Sequence, residues 1–441
     1  MGERLTFIAT CDLVALTRGR AMRSAEYPDR RRTGVGWVPA DLALTTFGDI
    51  ASPNPFGALG DLRLLPDDEA RATLPARAGR PATDLVLASI VESDGRPWIC
   101  CPRQALIDAV ARLEAHGLRL VVSFEQEFGL SGTTGALAGS AAAVAPFSVE
   151  ALRAAEPFGS ELVGLLHEQG LEPETWLPEY GAGQYELTLR PSDPVVAADR
   201  AILVRALVRD LASVHDLRAT FAPLIRPDAA GNGVHLHFSL WDRAGQPLTL
   251  SATDGQLTEV AGRFVAGILG HAPAVVAWTA PSAISALRLA PHRWSSAAAF
   301  LGLQNREAML RLCPVSTLGG SDPMAAANVE FRACDASANP WLALAALIRA
   351  GLEGLDRGLP TPPLIEGELD ELSPTEREQL GVTDLPANLD AALHALEGDP
   401  VARGWFSPDL LTTHLAVRRT ELRILADATP EEQCARYAAV L

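Results

Sequence analysis

Residues 118–128 read LRLVVSFEQEF, and the way this stretch alternates organises the rest of the chain. Side chains along a strand point to opposite faces with a period of two. Leu120, Val122, Phe124 and Phe128 therefore share one face, while Ser123, Glu125 and Glu127 share the other. Three further stretches repeat the pattern. GQYELTL (183–189) sets Tyr185, Leu187 and Leu189 against Gln184, Glu186 and Thr188. GNGVHLHFSL (231–240) sets Val234, Leu236 and Phe238 against His235, His237 and Ser239, and NVEFRA (328–333) sets Val329 and Phe331 against Glu330 and Arg332. One such strand alone reads as the solvated face of an antiparallel sheet. Four together do not, because solvated faces mix Thr, Ser and basic residues rather than repeating Glu and His.

With Glu179 just upstream of Glu186, five carboxylates and an imidazole are candidates for one site. Crowded like charges resist ionisation unless cations neutralise them. Oxygen-rich donor sets with one imidazole suit Mg²⁺ or Mn²⁺ better than Zn²⁺, which prefers Cys and His. A two-metal site that holds phosphate oxygens is the chemistry this pattern predicts. Arginines supply the cationic half: Arg306 and Arg311 in NREAMLRL (305–312), and Arg288 in ALRLAPHRW (286–294). Arg forks bind phosphate and carboxylate in bidentate fashion, although most Arg in any chain only solubilise a surface. All 37 basic residues are Arg and none is Lys, so Schiff-base and P-loop chemistry are excluded. No GxxxxGK[ST] or GxGxxG loop is present either. Metal, arginines and carboxylates together point to phosphoryl transfer from a nucleoside triphosphate.

The chain has 441 residues, a formal net charge of −17 and 48% hydrophobic content. That length predicts two to three units of roughly 150 residues and an ordinary globular core. An acidic chain whose one basic run is Arg30–Arg31–Arg32 argues against nucleic-acid binding. Charges at Glu3, Arg4, Asp12, Arg18 and Arg20 interrupt any apolar leader, and no stretch approaches the ~20 apolar residues of a membrane span. Six Cys without CxxC spacing do not make a disulfide framework, so a reduced cytoplasmic setting is expected. Residues 1–105 read as short strands and loops, with 52–68 (SPNPFGALGDLRLLPDD) expected to be irregular. Helical spacing begins at Arg103 and recurs at 157–170, 196–217, 256–278 (as one stretch) and 339–355. Residues 358–386, rich in Pro and acid, read as a surface loop with one short helix. The expected class is α+β, with units at 1–103 and 104–441.

At this point the motifs resemble the glutamine synthetase family, in order, over nearly the whole chain. SFEQEFGL (123–130) looks like its first metal strand, and LPEYGAGQYELTL (177–189) is similar to its E-x-G-x-G-Q-[FY]-E element. GNGVHLHFSL is similar to its G-x-H-x-H strand, RLAPH (288–292) to its R-L-x-P flap, and NREAMLRL to its N-R-x-A-x-x-R motif. NVEFRACDASANPWLALAA (328–346) resembles its E-x-R-x-x-D-x-x-A-N-P-[YW] element. TRGRAM (17–22) and GDLRLLPD (60–67) resemble, more loosely, its small N-terminal β-grasp domain. The tail segments LPANLDAALHAL and TPEEQCARY resemble its C-terminal helices.

The resemblance implies a fold: a β-grasp domain followed by a catalytic domain with a curved antiparallel sheet backed by helices. It also implies roles. Glu127, Glu179 and Glu186 would hold one metal, and Glu125, His235 and Glu330 the other. His237, Ser239, Arg306 and Arg311 would face ATP, while Arg288 and Arg332, with backbone at Gly231 and Gly233, would bind the amino-acid substrate. The implied reaction joins glutamate, or an analogue, to an amine through an acyl phosphate, with ATP consumed. Stacked homo-oligomeric rings, a dodecamer among them, are the implied assembly, with a neighbour's N-terminal loop completing each site.

Departures from the family pattern sharpen this. Its flap normally reads R-L-x-P-G-[YF]-E-A-P, but here Trp294 occupies the position of that Glu. Indole cannot take a proton or attract ammonium by charge. It can line an apolar or cation–π pocket for an organic amine, or simply pack the loop. APLIR (222–226) replaces a common M-P-K-P, Asn328 stands where an Arg commonly assists nucleotide, and 358–386 lacks the family's modifiable Tyr motif. The expected activity is therefore ligation of glutamate to an amine larger than ammonia. The alternatives are ordinary glutamine synthesis with another acid, Asp61 being a candidate, a catalytically silent ring, or more remotely a guanidino-kinase-like phosphotransferase.

Overall fold

The computed structural model describes residues 2–441 except 78, 133–136, 138–143 and 254. Two sheets dominate. The smaller is built from β1 (Leu5–Cys11), β2 (Thr17–Arg23), β3 (Val35–Trp37), β4 (Leu62–Leu74) and β5 (Thr83–Glu92), in the order β2-β1-β5-β4-β3. Only β1 and β5 run parallel in it. The strand β4 corrects the expectation that 52–68 is all loop. LRLLPDD enters a long strand, and Pro66, which cannot donate to a ladder, sits where the β4–β5 register shifts between Pro66 and Arg71.

The larger sheet contains β6 (Leu118–Gly132), β7 (Pro173–Pro178), β8 (Gln184–Leu189), β9 (Leu217–Thr220) and β10 (Val234–Asp242). It continues with β11 (Ala298–Leu303), β12 (Ala308–Leu312), β13 (Val329–Phe331), β14 (Leu364–Ile365) and β15 (Thr383–Asp384). Its order is β14-β11-β12-β13-β10-β6-β8-β7, with β15 pairing β11 and β9 pairing β6. The four strands with mixed faces, β13, β10, β6 and β8, are thus consecutive neighbours, and each adjacent pair is antiparallel. Their apolar faces bury Leu120, Val122, Phe124, Leu187, Leu236 and Phe331 against helices.

Helices Pro102–Ala115, Pro194–Val214, Glu259–Gly270 and Pro340–Asp356 form that backing layer. The stretch expected as one helix at 256–278 is two, Glu259–Gly270 and Ala272–Thr279, bent by 78°. Pro273 in the first turn of the second helix cannot continue the hydrogen-bond ladder of the first. Among the described residues no single helix is long and apolar enough to cross a membrane. The segment 358–386 carries the expected short helix, Pro374–Gln379, flanked by the two-residue strands β14 and β15. All six Cys are buried and unpaired.

The crossing of Glu259–Gly270 over Pro340–Asp356 needs small residues. A Cβ added at Gly354 would lie 1.9 Å from Arg263 O and 2.7 Å from Gly267 N, so the helix backbones would have to part. Gly354→Ala is expected to cost about 1–3 kcal/mol by overpacking. The midpoint of urea unfolding measures it, and an unchanged midpoint would show that the crossing yields freely.

The small sheet is held to the large body by buried polar contacts. Asn339 Nδ2 donates to Cys11 O (2.9 Å) and Asp12 O (3.0 Å), while Arg418 donates to the carbonyls of Leu13 and Ser337. Glu421 Oε1 accepts from Thr46 N at 2.8 Å and Glu421 Oε2 from Arg418 at 3.0 Å. Arg418 and Glu421 are wholly buried, so each satisfies a charge the other could not bear alone.

Candidate active site

Register assembles the site. Across β6 and β10, Glu125 faces His235; across β6 and β8, Glu127 faces Glu186. Across β10 and β13, His237 faces Glu330, which in turn faces Arg311 on β12. Since opposed residues point to the same side of a sheet, carboxylates and imidazoles from separate segments converge on one face.

Glu330 is the hub. It is 1% exposed and accepts from Arg311 Nη1 at 2.7 Å and from Arg332 Nη1, with His235 Nδ1 at 3.6 Å and His237 Nε2 at 3.9 Å. Burial would push this carboxyl up, but the charges of Arg332, His235 and His237 hold it down at about 2. Glu125 lies 3.2 Å from His235 Nδ1 and 3.0 Å from His237 Nε2. Burial opposes its ionisation, yet its bonds to the two imidazoles outweigh that and keep it well below the usual carboxylate range. His237 Nδ1 bonds Asn328 Oδ1 at 2.8 Å. Burial would discharge His237, but contacts with Cys313 and with the Glu125 and Glu330 carboxylates raise it well above its ordinary value.

Glu186 and Glu179 behave oppositely. Burial, then the charges of Glu125, Glu127 and Glu179, push Glu186 up to about 9. Burial and Glu127 raise Glu179, whose carboxylate accepts from Tyr180 N at 3.0 Å. The donor geometry here is able to seat cations. Donor atoms of Glu125, His237 and Glu330 lie within 4.8 Å of one another, as do those of Glu125, Glu186 and His235. That grouping differs from the partition the family resemblance implies, since His237 joins the metal-donor geometry. Glu127 instead has Oε2 anchored by Gly233 N (2.9 Å) and Gln184 Nε2 (3.1 Å).

Arg288 is 3% exposed and donates to Cys334 O at 2.7 Å, while its buried Nε has no hydrogen-bond partner among the described residues. A Cβ at Gly231 would lie 2.4 Å from Arg288 Cγ, and one at Gly233 would lie 2.8 Å from His235 Nε2. Both glycines are what let the Arg288 side chain lie against this backbone. Arg332 is fully engaged: Nη1 with Glu330, Nη2 with Trp294 O (2.8 Å) and Nε with Arg306 O (2.8 Å). Arg306 itself is exposed in the β11–β12 turn. Ser239 Oγ accepts from Trp241 Nε1 at 2.8 Å. Trp294 is 62% exposed, with its ring 6.4 Å from that of Tyr180. Asp61 lies exposed just before β4, and its carboxylate makes no hydrogen bond or ion pair among the described residues.

Two participants went unremarked as site residues. Gln184 ties Glu127, Gly231 O (2.8 Å) and Asn232 Oδ1 (3.0 Å) together; its place on the polar face of GQYELTL was the available signal. Cys313, one residue past β12, touches His237 Nδ1 (3.8 Å), Arg311 Nη1 (3.7 Å) and Glu330 Oε2 (3.9 Å). Nothing in its local sequence marks it.

Comparisons with known proteins agree across the chain. A family model for the glutamine synthetase catalytic domain matches residues 99–437, and one for the glutamine synthetase N-terminal domain matches 3–98. The gamma-glutamylpolyamine synthetase GlnA3 of Streptomyces coelicolor is 36% identical over 427 residues, spanning 94% of this chain and 88% of the relative. The glutamine synthetase of Halobacterium salinarum is 31% identical over 387 residues, or 86% and 83%. A solved structure of a novel glutamine synthase homolog superposes with a TM-score of 0.91 at 42% identity, covering 100% of this chain and 99% of its own. A GmaS/ADP complex superposes at 0.81 with 27% identity, over 97% and 95%.

Proposed function

Because the chain belongs to the glutamine synthetase family, we propose that it is an ATP-dependent ligase joining the γ-carboxylate of glutamate, or a close analogue, to an organic amine. The observation that carries the amine is the exposed Trp294, an indole standing where a proton-accepting flap residue would serve ammonia. The relative named as a gamma-glutamylpolyamine synthetase supports an amine larger than ammonia.

The substrate γ-carboxylate attacks the γ-phosphorus of ATP, breaking its bond to the bridging oxygen and releasing ADP. The amine nitrogen then attacks the acyl carbon, phosphate leaves, and a proton passes to a neighbouring carboxylate. Mg²⁺ or Mn²⁺ fits the oxygen-rich donors of Glu125, Glu186, His235, His237 and Glu330 and would neutralise phosphate charge when bound. Arg311, anchored by Glu330, and exposed Arg306 supply further positive charge for the transferring phosphoryl group. Arg288, with its buried and unpartnered Nε, suits a substrate carboxylate. Glu179, kept up by burial, suits receipt of the amine proton.

The reading extends to a cytoplasmic homo-oligomer of stacked rings, in which Asp61 from a neighbour's N-terminal loop approaches the site; light scattering tests the assembly. A coupled ADP-release assay with glutamate and an amine panel tests the activity. Amine-dependent ADP formation is expected, with at least one organic amine ahead of ammonia. Ammonia outperforming every organic amine would defeat the amine assignment. No ADP with any amine, joined to failure to bind Mn²⁺-ATP in calorimetry, would favour a silent ring.

A further inference from the structure

Beside the acidic centre lies a cavity of about 640 Å³ that the chemistry above does not use. Its inner wall is Gln184, the same amide that holds Glu127. Tyr180, the residue after Glu179, lines it together with Leu130, Ile225, Ala229 and Ala230. Volume and lining suit the body of a small organic molecule whose reactive end reaches the carboxylates.

Trp294 stands near the Tyr180 side of this wall. Its ring sits 6.4 Å from Tyr180 at 44°, and both rings are exposed, at 62% and 65%. The backbone is held there at some cost. His292 and Trp294 have φ of +59° and +50°, a region non-glycine residues seldom occupy. Arg332 pins Trp294 O, and the neighbouring Arg293 donates to Pro227 O (2.8 Å) and to Ala229 O (3.3 Å), the latter a residue of the cavity's lining. Positioning a large exposed indole by strained backbone has no value for packing, but it does give a passing substrate an aromatic surface.

The charges at this mouth are the discriminating fact. Arg226 lines the cavity and pairs with Asp228 at 3.2 Å, both exposed. Arg293 bonds only carbonyl oxygens and has no carboxylate partner among the described residues. The outer chamber is therefore neutral to cationic, whereas the inner centre is acidic. An amine entering head-first finds carboxylates for its ammonium, then aromatic and aliphatic walls, then guanidinium groups. A second ammonium on its tail would meet like charge.

Resting on the ligase reading, we infer that Tyr180 and Trp294 select a primary monoamine with an arylalkyl or branched alkyl body, and that Arg226 and Arg293 exclude polyamines. The test compares kcat/KM for phenethylamine, isopentylamine, methylamine, putrescine and spermidine with glutamate and ATP. Phenethylamine or isopentylamine is expected to exceed putrescine and spermidine by about tenfold or more, the scale on which pocket contacts discriminate. Trp294→Ala and Tyr180→Ala are each expected to lower the phenethylamine-to-methylamine ratio about tenfold, through KM rather than kcat, with Trp294→Phe restoring most of it. Arg293→Glu is expected to raise kcat/KM for putrescine about tenfold. Polyamines ahead of every monoamine, or ratios unmoved by all these variants, would overturn the inference and leave the ligase reading standing. No ADP with any amine would instead overturn the ligase reading itself.

Discussion

Glu330→Ala is expected to lower amine-dependent ADP release by about a thousandfold, the scale at which a preorganised charge in an active site acts. It should also lower stability by about 3–5 kcal/mol. Both effects have one cause. Glu330 is 1% exposed and neutralises Arg311 and Arg332, with His235 and His237 within 4 Å. Its removal strands two buried guanidiniums and takes one donor from the Glu125–His237–Glu330 group. Arg332 would also be free to release Trp294 O and Arg306 O, which it holds at 2.8 Å. Glu330→Gln keeps the shape but not the charge, so it should recover part of the stability and little of the turnover. Denaturant midpoints and the coupled assay measure the two effects separately. An alanine variant as stable and as active as the parent would show that Glu330 is not the keystone of this site.

The second large effect concerns metal and pH together. In the metal-free protein, stability is expected to fall as pH rises from about 4.5 toward 9. Glu186 ionises near 4.5 in the unfolded chain but only near 9 in the folded one. Between those values the folded state binds more protons, so the slope of unfolding free energy with pH is negative. His237, raised by Cys313 and the Glu125 and Glu330 carboxylates against the effect of burial, adds to the same fall above 6.5. Glu125 and Glu330 are depressed, so their stabilisation is already complete above 4.5 and is lost only on acidification. A divalent cation takes the place of the proton on Glu186. Mn²⁺ or Mg²⁺ at roughly a hundredfold excess over Kd should raise stability by about 2.7 kcal/mol, and more at pH 8 than at pH 6. Glu186→Gln carries a permanent stand-in for that proton, so it should flatten the pH slope and weaken the metal effect. Thermal unfolding across pH, with and without EDTA, reads both. Identical slopes for parent and variant would remove Glu186 from the account.

Much of this candidate site is legible in the sequence. Alternation in 118–128, 183–189, 231–240 and 328–333 named the polar face residue by residue, and those faces are the ones that meet. Motif order indicated the fold, and the comparisons bear it out. Other features were hidden for physical reasons. LRLLPDD looked like loop because Pro66 breaks the strand pattern, whereas a register shift accommodates it. The bend after Gly270 was masked by apolar residues on all sides, which keep helical periodicity across a break. Arg332 carried no mark of being saturated by Glu330 and two carbonyls, and Cys313 none of its contact with His237.

The division follows from range. Which way a side chain points is settled within two residues by the pleat of its own strand, so the amino-acid order alone determined the acidic face and the arginine supply, and likeness to the family pattern marked the flap acid as replaced by Trp294. Which strands lie side by side, and in what register, depends on hydrogen-bond ladders joining segments as far apart as Glu125 and Glu330. Only the folded sheet decided that His237 shares donors with Glu125 and Glu330, that Glu186 sits among carboxylates that resist its ionisation, and that Trp294 comes near Tyr180 at the edge of a cavity.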